Sequence, residues 1–248
     1  METLFALPDG LSQLSFWVLM ATSFAASLIT VALGIGGGGL LLAIMASLVP
    51  PAALIPVHGV VQLGSNGGRA AMLFGQVSWL ALPGFVLGSL VGCAIGGAVV
   101  VELSPAVVQI GVGAFVIYSV FARPPKWLSR WPWLTGGVSS FLTMFFGATG
   151  LFVANYTKSL ALPRHAHVAT HAALMTVQHG LKVLIFGLLG FAFGPWAMVI
   201  LALILAGLAG TFTGKTVLNR MSDHGFKRAL DAILVLISLR LIWQGLSG

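Results

Sequence analysis

The chain has 248 residues, of which 58% are hydrophobic and only 7% charged. A soluble domain carries about 25% charged residues to cover its surface, so this composition excludes a water-facing exterior and makes the lipid bilayer the natural solvent. The net charge of +7 lies in short clusters between apolar runs rather than in a basic patch interleaved with aromatics, which argues against nucleic acid as a partner, and the single cysteine, Cys93, excludes an intramolecular disulfide.

An apolar run of about 20 residues spans a bilayer as a helix. In chain order such runs cover Leu14 to Leu33, a short stretch from Leu40 to Val49, Ala52 to Phe74, Val77 to Val101 and Pro105 to Phe121. After a basic loop with Arg123, Lys126 and Arg130 come Trp131 to Phe146, a second short stretch from Leu151 to Leu162, His167 to Leu189, Phe193 to Thr213 and Phe226 to Leu246. The expected fold is an all-α integral membrane protein of ten segments, two of them short. The N-terminal tail, residues 1–13, has Glu2 and Asp9 but no Lys or Arg, so it lacks the basic start of a signal peptide. Positive loops face the cytoplasm. That rule places residues 123–130 inside, together with the loop holding Lys215, Arg220, Lys227 and Arg228, and puts Glu102 and both termini outside.

The two halves, residues 14–122 and 131–248, resemble each other. Shifted by 113 positions, Gly34 aligns with Gly147, Gly37 with Gly150, Pro50 with Pro163, His58 with His171, Gly67 with Gly180 and Arg69 with Lys182. Shifted by 118, Gly92 matches Gly210, Gly96 matches Gly214 and Ser104 matches Ser222, while Glu102 falls on Arg220. Five segments per half make the second copy inverted in the bilayer, a transporter architecture with its site near the midplane. Were the short segments re-entrant, the repeats would be parallel, and an acidic and a basic loop would share one side.

Glycine clusters open both short segments: Gly36, Gly37, Gly38 and Gly39 in the first half, and Gly147 to Gly150 with Thr149 in the second. A helix broken there leaves N–H groups that attract an anion; the competing reading is close helix packing through small residues. In the next segment His58, Gln62, Ser65 and Arg69 fall within an arc of about 60° at 100° per residue, with Asn66 beside it. His171, Met175, Gln178 and Lys182 form the matching stripe, with His179 in the place of Asn66. Polar groups in hydrocarbon cost several kcal/mol, so such stripes face the protein interior or a wet cavity. They serve as binding groups, as glue between helices, or, for Arg69 and Lys182, as cations reaching for the interface. Lys158 ranks below Lys182. If the halves share one site, His58 and His171 are expected to meet across its axis.

All five acidic residues lie in tails, in loops or near a helix start. With cations and broken helices but no mid-membrane carboxylate, the expected substrate is a small anion. No Ser-His-Asp set, zinc motif or phosphate loop is present, so neither an enzyme nor a metal or cofactor site is expected.

The glycine-rich break GIGGGG at 34–39, the short segment ending in Pro50, the His58 to Arg69 helix, and the degenerate copy GATG at 147–150 with Pro163 together resemble the TauE/SafE sulfite exporter family. The resemblance covers nearly the whole chain. It implies a bacterial inner-membrane permease that exports sulfite, an organosulfonate or a related sulfur anion, driven by a gradient of a coupling ion such as H+ or Na+. Ala148 and Thr149 depart from the glycines of the first break, which implies an asymmetric site. A passive anion channel is the alternative function.

Overall fold

The computed structural model describes residues 7–33, 36–100, 104–122, 124–217 and 223–247, with side chains at all of these except 32, 33, 105, 215–217 and 223–230. Gly34, Glu2, Glu102, Arg123, Arg220 and the side chains of Lys215, Lys227 and Arg228 therefore lie outside the described residues. All regular structure among those described is helical.

Ten α-helices follow in order: α1 Gln13–Leu33, α2 Gly37–Leu48, α3 Pro51–Met72, α4 Leu82–Val100, α5 Pro105–Phe121, α6 Pro132–Phe146, α7 Gly150–Ser159, α8 Arg164–Leu188, α9 Ala197–Val217 and α10 Asp223–Ser247. Proline sets several of their starts, since a first-turn residue needs no N–H partner and its φ is already helical. Pro51, Pro105 and Pro132 occupy that position, and Pro163 caps α8. Two starts come later than hydropathy suggests. The apolar residues 79–81 and Trp196 belong to short 3-10 turns that lead into α4 and α9.

At 1.5 Å per residue, α2 with 12 residues and α7 with 10 are about 18 and 15 Å long, well short of a hydrocarbon core of about 30 Å. α1, α4 with its preceding turn, and α9 with its preceding turn are long and apolar enough to cross a membrane. α3 and α8, with 22 and 25 residues, have the length but carry the polar stripes.

The helices associate in four close pairs: α4 with α6, α1 with α9, α3 with α8 and α5 with α10. Their directions follow from the contacts of the glycines. On α4, Gly88, Gly92 and Gly96 lie against Trp133, Gly137 and Phe141 of α6, so numbers rise together and the pair is parallel. Likewise Gly210 and Gly214 of α9 lie against Phe24 and Leu28 of α1. α3 and α8 run oppositely: Gly59 faces Lys182 and Val183, whereas Gly67 faces Thr176. In α5 and α10, Gly113 faces Ser238 and Ile242, and Gly245 faces Ala106 and Ile110, again antiparallel.

The main apolar core gathers around α2, whose Leu42, Ala43 and Met45 are fully buried. Outside, large apolar side chains such as Leu14, Leu87, Val91, Leu205, Leu236 and Leu239 are exposed, which fits contact with lipid rather than water. The tryptophans Trp17, Trp79, Trp127, Trp131, Trp133 and Trp243 are also exposed. They sit at or near helix ends, where aromatic rings anchor membrane interfaces.

Candidate functional site

Both chain breaks form as expected, and each needs a backbone angle that side chains avoid. Gly36 has φ 105° as it precedes α2, and Gly147 has φ 73° where α6 ends. The broken ends project towards the polar stripes. A Cβ on Gly38 would come 3.1 Å from Gln62 Nε2, and one on Gly150 would sit 3.6 Å from the Met175 methyl group. Gly37 is different: it packs on the Ala26 carbonyl of α1 with no room for a side chain, while a Cβ at Gly39 would meet nothing within 4 Å.

Each half ties its broken helix to its histidine. His58 Nε2 donates to the Gly38 carbonyl at 3.1 Å, and His171 Nε2 to the Gly150 carbonyl at 3.4 Å. A carbonyl only accepts, so the proton on each of these Nε2 atoms is fixed by the bond.

On α3 the stripe forms a ladder. Asn66 Nδ2 donates to Gln62 Oε1 at 3.1 Å and to the Gln62 carbonyl at 2.8 Å. Arg69 donates to Asn66 Oδ1 at 3.2 Å and to Ser65 Oγ at 3.4 Å, and Ser65 Oγ lies 3.3 Å from Ser27 Oγ of α1. The guanidinium is buried, and its Nε has no partner.

In the second half Gln178 holds the start of α7. Its Nε2 donates to Thr149 Oγ1 at 2.8 Å, and its Oε1 accepts from Ser139 Oγ of α6 at 2.6 Å. Lys182 and His179 stand apart from this network. Lys182 is fully buried with its stem against Gly59 and no hydrogen-bond partner for Nζ. His179, 1% exposed, places its ring edge-on to that of His58 at 6.2 Å between centroids. Nδ1 of both rings lacks a partner. An isolated charge inside a protein bundle is costly unless something pairs with it. The unpartnered Lys182 amine, a donor and a cation, therefore makes this cluster suited to receiving an anion.

The structure corrects one expectation. His58 and His171 do not meet, because the antiparallel α3 and α8 cross at a level that sets Gly59 against Lys182 and Gly67 against Thr176. Gly59 faces Lys182, so His171 falls opposite the far end of α3, beyond Arg69. His58 keeps company with His179 and Lys182 instead, and His171 lies towards the Arg69 end of α3. Snorkelling is also excluded for both cations, since Arg69 is 4% exposed and Lys182 not at all. Lys158 is exposed at the end of α7.

Several participants escaped the sequence reading. Ser27 and Ser139 bond to the stripes, while Cys93 of α4 donates to the carbonyl of Ser140, 3.9 Å away. Small polar residues in apolar helices give no periodic signal. Only the pairing of α1 with α9 and of α4 with α6 brings them inward.

Comparison with known proteins agrees with this picture. No curated protein and no solved structure matched the chain. The family model described as sulfite exporter TauE/SafE matches residues 19–241, from the first turns of α1 to the last of α10, and so includes both broken helices and both polar stripes. The chain belongs to the TauE/SafE sulfite exporter family of membrane transporters.

Proposed function

We propose that the protein is a secondary transporter that exports a small sulfur-containing anion, such as sulfite or an organosulfonate, across the bacterial inner membrane. The anion binds between α3 and α8, with the gradient of a coupling ion, H+ or Na+, driving flux. The observation that carries this reading is Lys182, a fully buried amine without a partner, beside two histidines with unpartnered ring nitrogens. Gly36 to Gly39 and Thr149 to Gly150 bring the broken helices to the same interface, where His58, Gln62, Ser65, Asn66, Arg69, His171, Gln178 and His179 complete the polar lining.

In this reading residues 14–122 and 131–248 are inverted copies, joined by the cytoplasmic loop 123–130, with both termini outside. Helix directions support it. If α2 and α7 failed to cross, α3 would run parallel to α8 and α5 parallel to α10, whereas both pairs are antiparallel. Contacts recur under the alignment as well. Gly92 lies on the carbonyl of Gly137, and its counterpart Gly210 lies on that of Phe24, 113 positions before Gly137. Gly96 with the Phe141 carbonyl and Gly214 with the Leu28 carbonyl repeat the relation.

A thermal-shift panel of the purified protein with sulfite, sulfate, sulfoacetate, taurine and chloride tests the substrate class. A ligand at 100 times its Kd stabilises the folded state by about 2.7 kcal/mol. Selective stabilisation by sulfite or a sulfonate is expected. Equal melting temperatures across the panel would count against sulfur anions as the substrate.

A further inference from the structure

The cations on α3 and α8 stand at different levels of the interface. Lys182 lies along Gly59, whereas the Arg69 guanidinium reaches back to Ser65 and Asn66, six or seven positions further on, about 10 Å along the axis at 1.5 Å per residue. The antiparallel partner helix inverts that order, so Lys182 stands at the His58 level and His171 near Arg69. The first end thus holds Lys182 with His58 and His179, the second Arg69 with His171; Lys182 and His58, like Arg69 and His171, come from opposite halves of the chain.

Both ends also carry buried polar atoms without a hydrogen-bond partner. At the first, Lys182 Nζ, His58 Nδ1 and His179 Nδ1 have no partner, and these residues are at most 1% exposed. At the second, Arg69 Nε has none, although the rest of its guanidinium is held by Asn66 and Ser65. Between the ends, Gln62 and Asn66 continue the polar stripe along α3.

We propose that the α3–α8 interface contains two anion stations in series, one between Lys182 and His58 and the other between Arg69 and His171, with the transported anion handed from one to the other. This rests on the anion-transport reading above and extends it from one midplane site to two. The stations are unequal. Arg69, oriented by Asn66 and Ser65, is a preformed recognition site. Lys182, whose stem is packed along Gly59 but whose amine has no hydrogen-bond partner, is the weaker-held group that passes the anion on. With the cytoplasmic loop at 123–130, α3 runs inward, so the Arg69 station loads from the cytoplasm and the Lys182 station releases outward.

Equilibrium binding of radiolabelled sulfite to the purified full-length protein, read by scintillation proximity, tests the proposal by counting. Two sulfites per chain are expected at saturation, falling to one in Lys182→Met and to one in Arg69→Gln. His171→Phe provides a second variant for the Arg69 station should loss of the Asn66 bond impair folding, and the wild-type count stands without any variant. One sulfite per chain, abolished by either substitution, would overturn the two stations while leaving anion transport in place. A count of two retained in both variants would equally overturn them. No sulfite bound by the wild type would remove the transport reading itself, and the stations with it.

Discussion

Lys182 of α8 lies along Gly59 of α3, so closely that a Cβ on Gly59 would come 2.7 Å from Lys182 Cε. The glycine next to His58 thereby makes the channel in which the lysine stem runs. Gly59→Ala gains up to about 1 kcal/mol of helix propensity but must push the amine out of place. The variant is expected to keep its melting temperature within a few degrees and to lose sulfite transport several-fold. Full transport would mean that the position of Lys182 is immaterial.

The glycines divide into those that hold helices together and those that leave room. A side chain at Gly92 would fall on the Gly137 carbonyl, and neither backbone can yield without separating α4 from α6. Gly92→Leu should destabilise the protein by about 3 kcal/mol or more. Gly39→Ala, with nothing within 4 Å of its Cβ, should be neutral or slightly stabilising. Denaturation of both variants in detergent checks the contrast.

Gln178 joins α6, α7 and α8 through Ser139 and Thr149. In Gln178→Leu these hydroxyls, already 3.2 Å apart, retain each other but lose the amide. A loss of about 1–3 kcal/mol is expected, with transport falling further than stability because the start of α7 is released. An unchanged melting temperature with unchanged transport would show that the network is dispensable.

Much of this architecture was legible in the sequence because hydropathy and spacing encode it. Gly36 and Gly147 mark the breaks through the positive φ they adopt, and the i, i+4 and i+3 steps from His58 to Arg69 place one ladder on one face of α3. Aligning the halves matched His58 with His171. It could not establish at what level the two helices cross, which depends on glycine contacts such as Gly67 with Thr176, and so the histidines were expected to meet. Ser139 and Ser27 were invisible for a related reason. A lone hydroxyl in an apolar helix acquires a partner only when the tertiary pairing is known.

Cys93 is buried, at 1% exposure, so the wild type should resist thiol reagents and give a clean background for topology mapping. In the proposed orientation, with both termini outside, Asp9→Cys is expected to react with a membrane-impermeant maleimide on intact cells or spheroplasts. Lys126→Cys, in the basic loop, should react only after the membrane is opened. The reverse pattern would invert the assigned orientation and with it the direction in which the Lys182 side opens.

The central claim is that a buried, unpartnered lysine holds the transported anion. Its most direct test is sulfite flux into proteoliposomes containing wild-type protein or Lys182→Met, with melting temperatures measured on the same preparations. Replacing an unpaired buried charge by an apolar side chain of similar shape is neutral or stabilising, so Lys182→Met should melt at or above the wild-type temperature. Its flux should fall at least ten-fold, towards that of empty liposomes, while the wild type shows saturable uptake. Equal flux in the two proteins, or a wild type no faster than empty liposomes, would contradict the account.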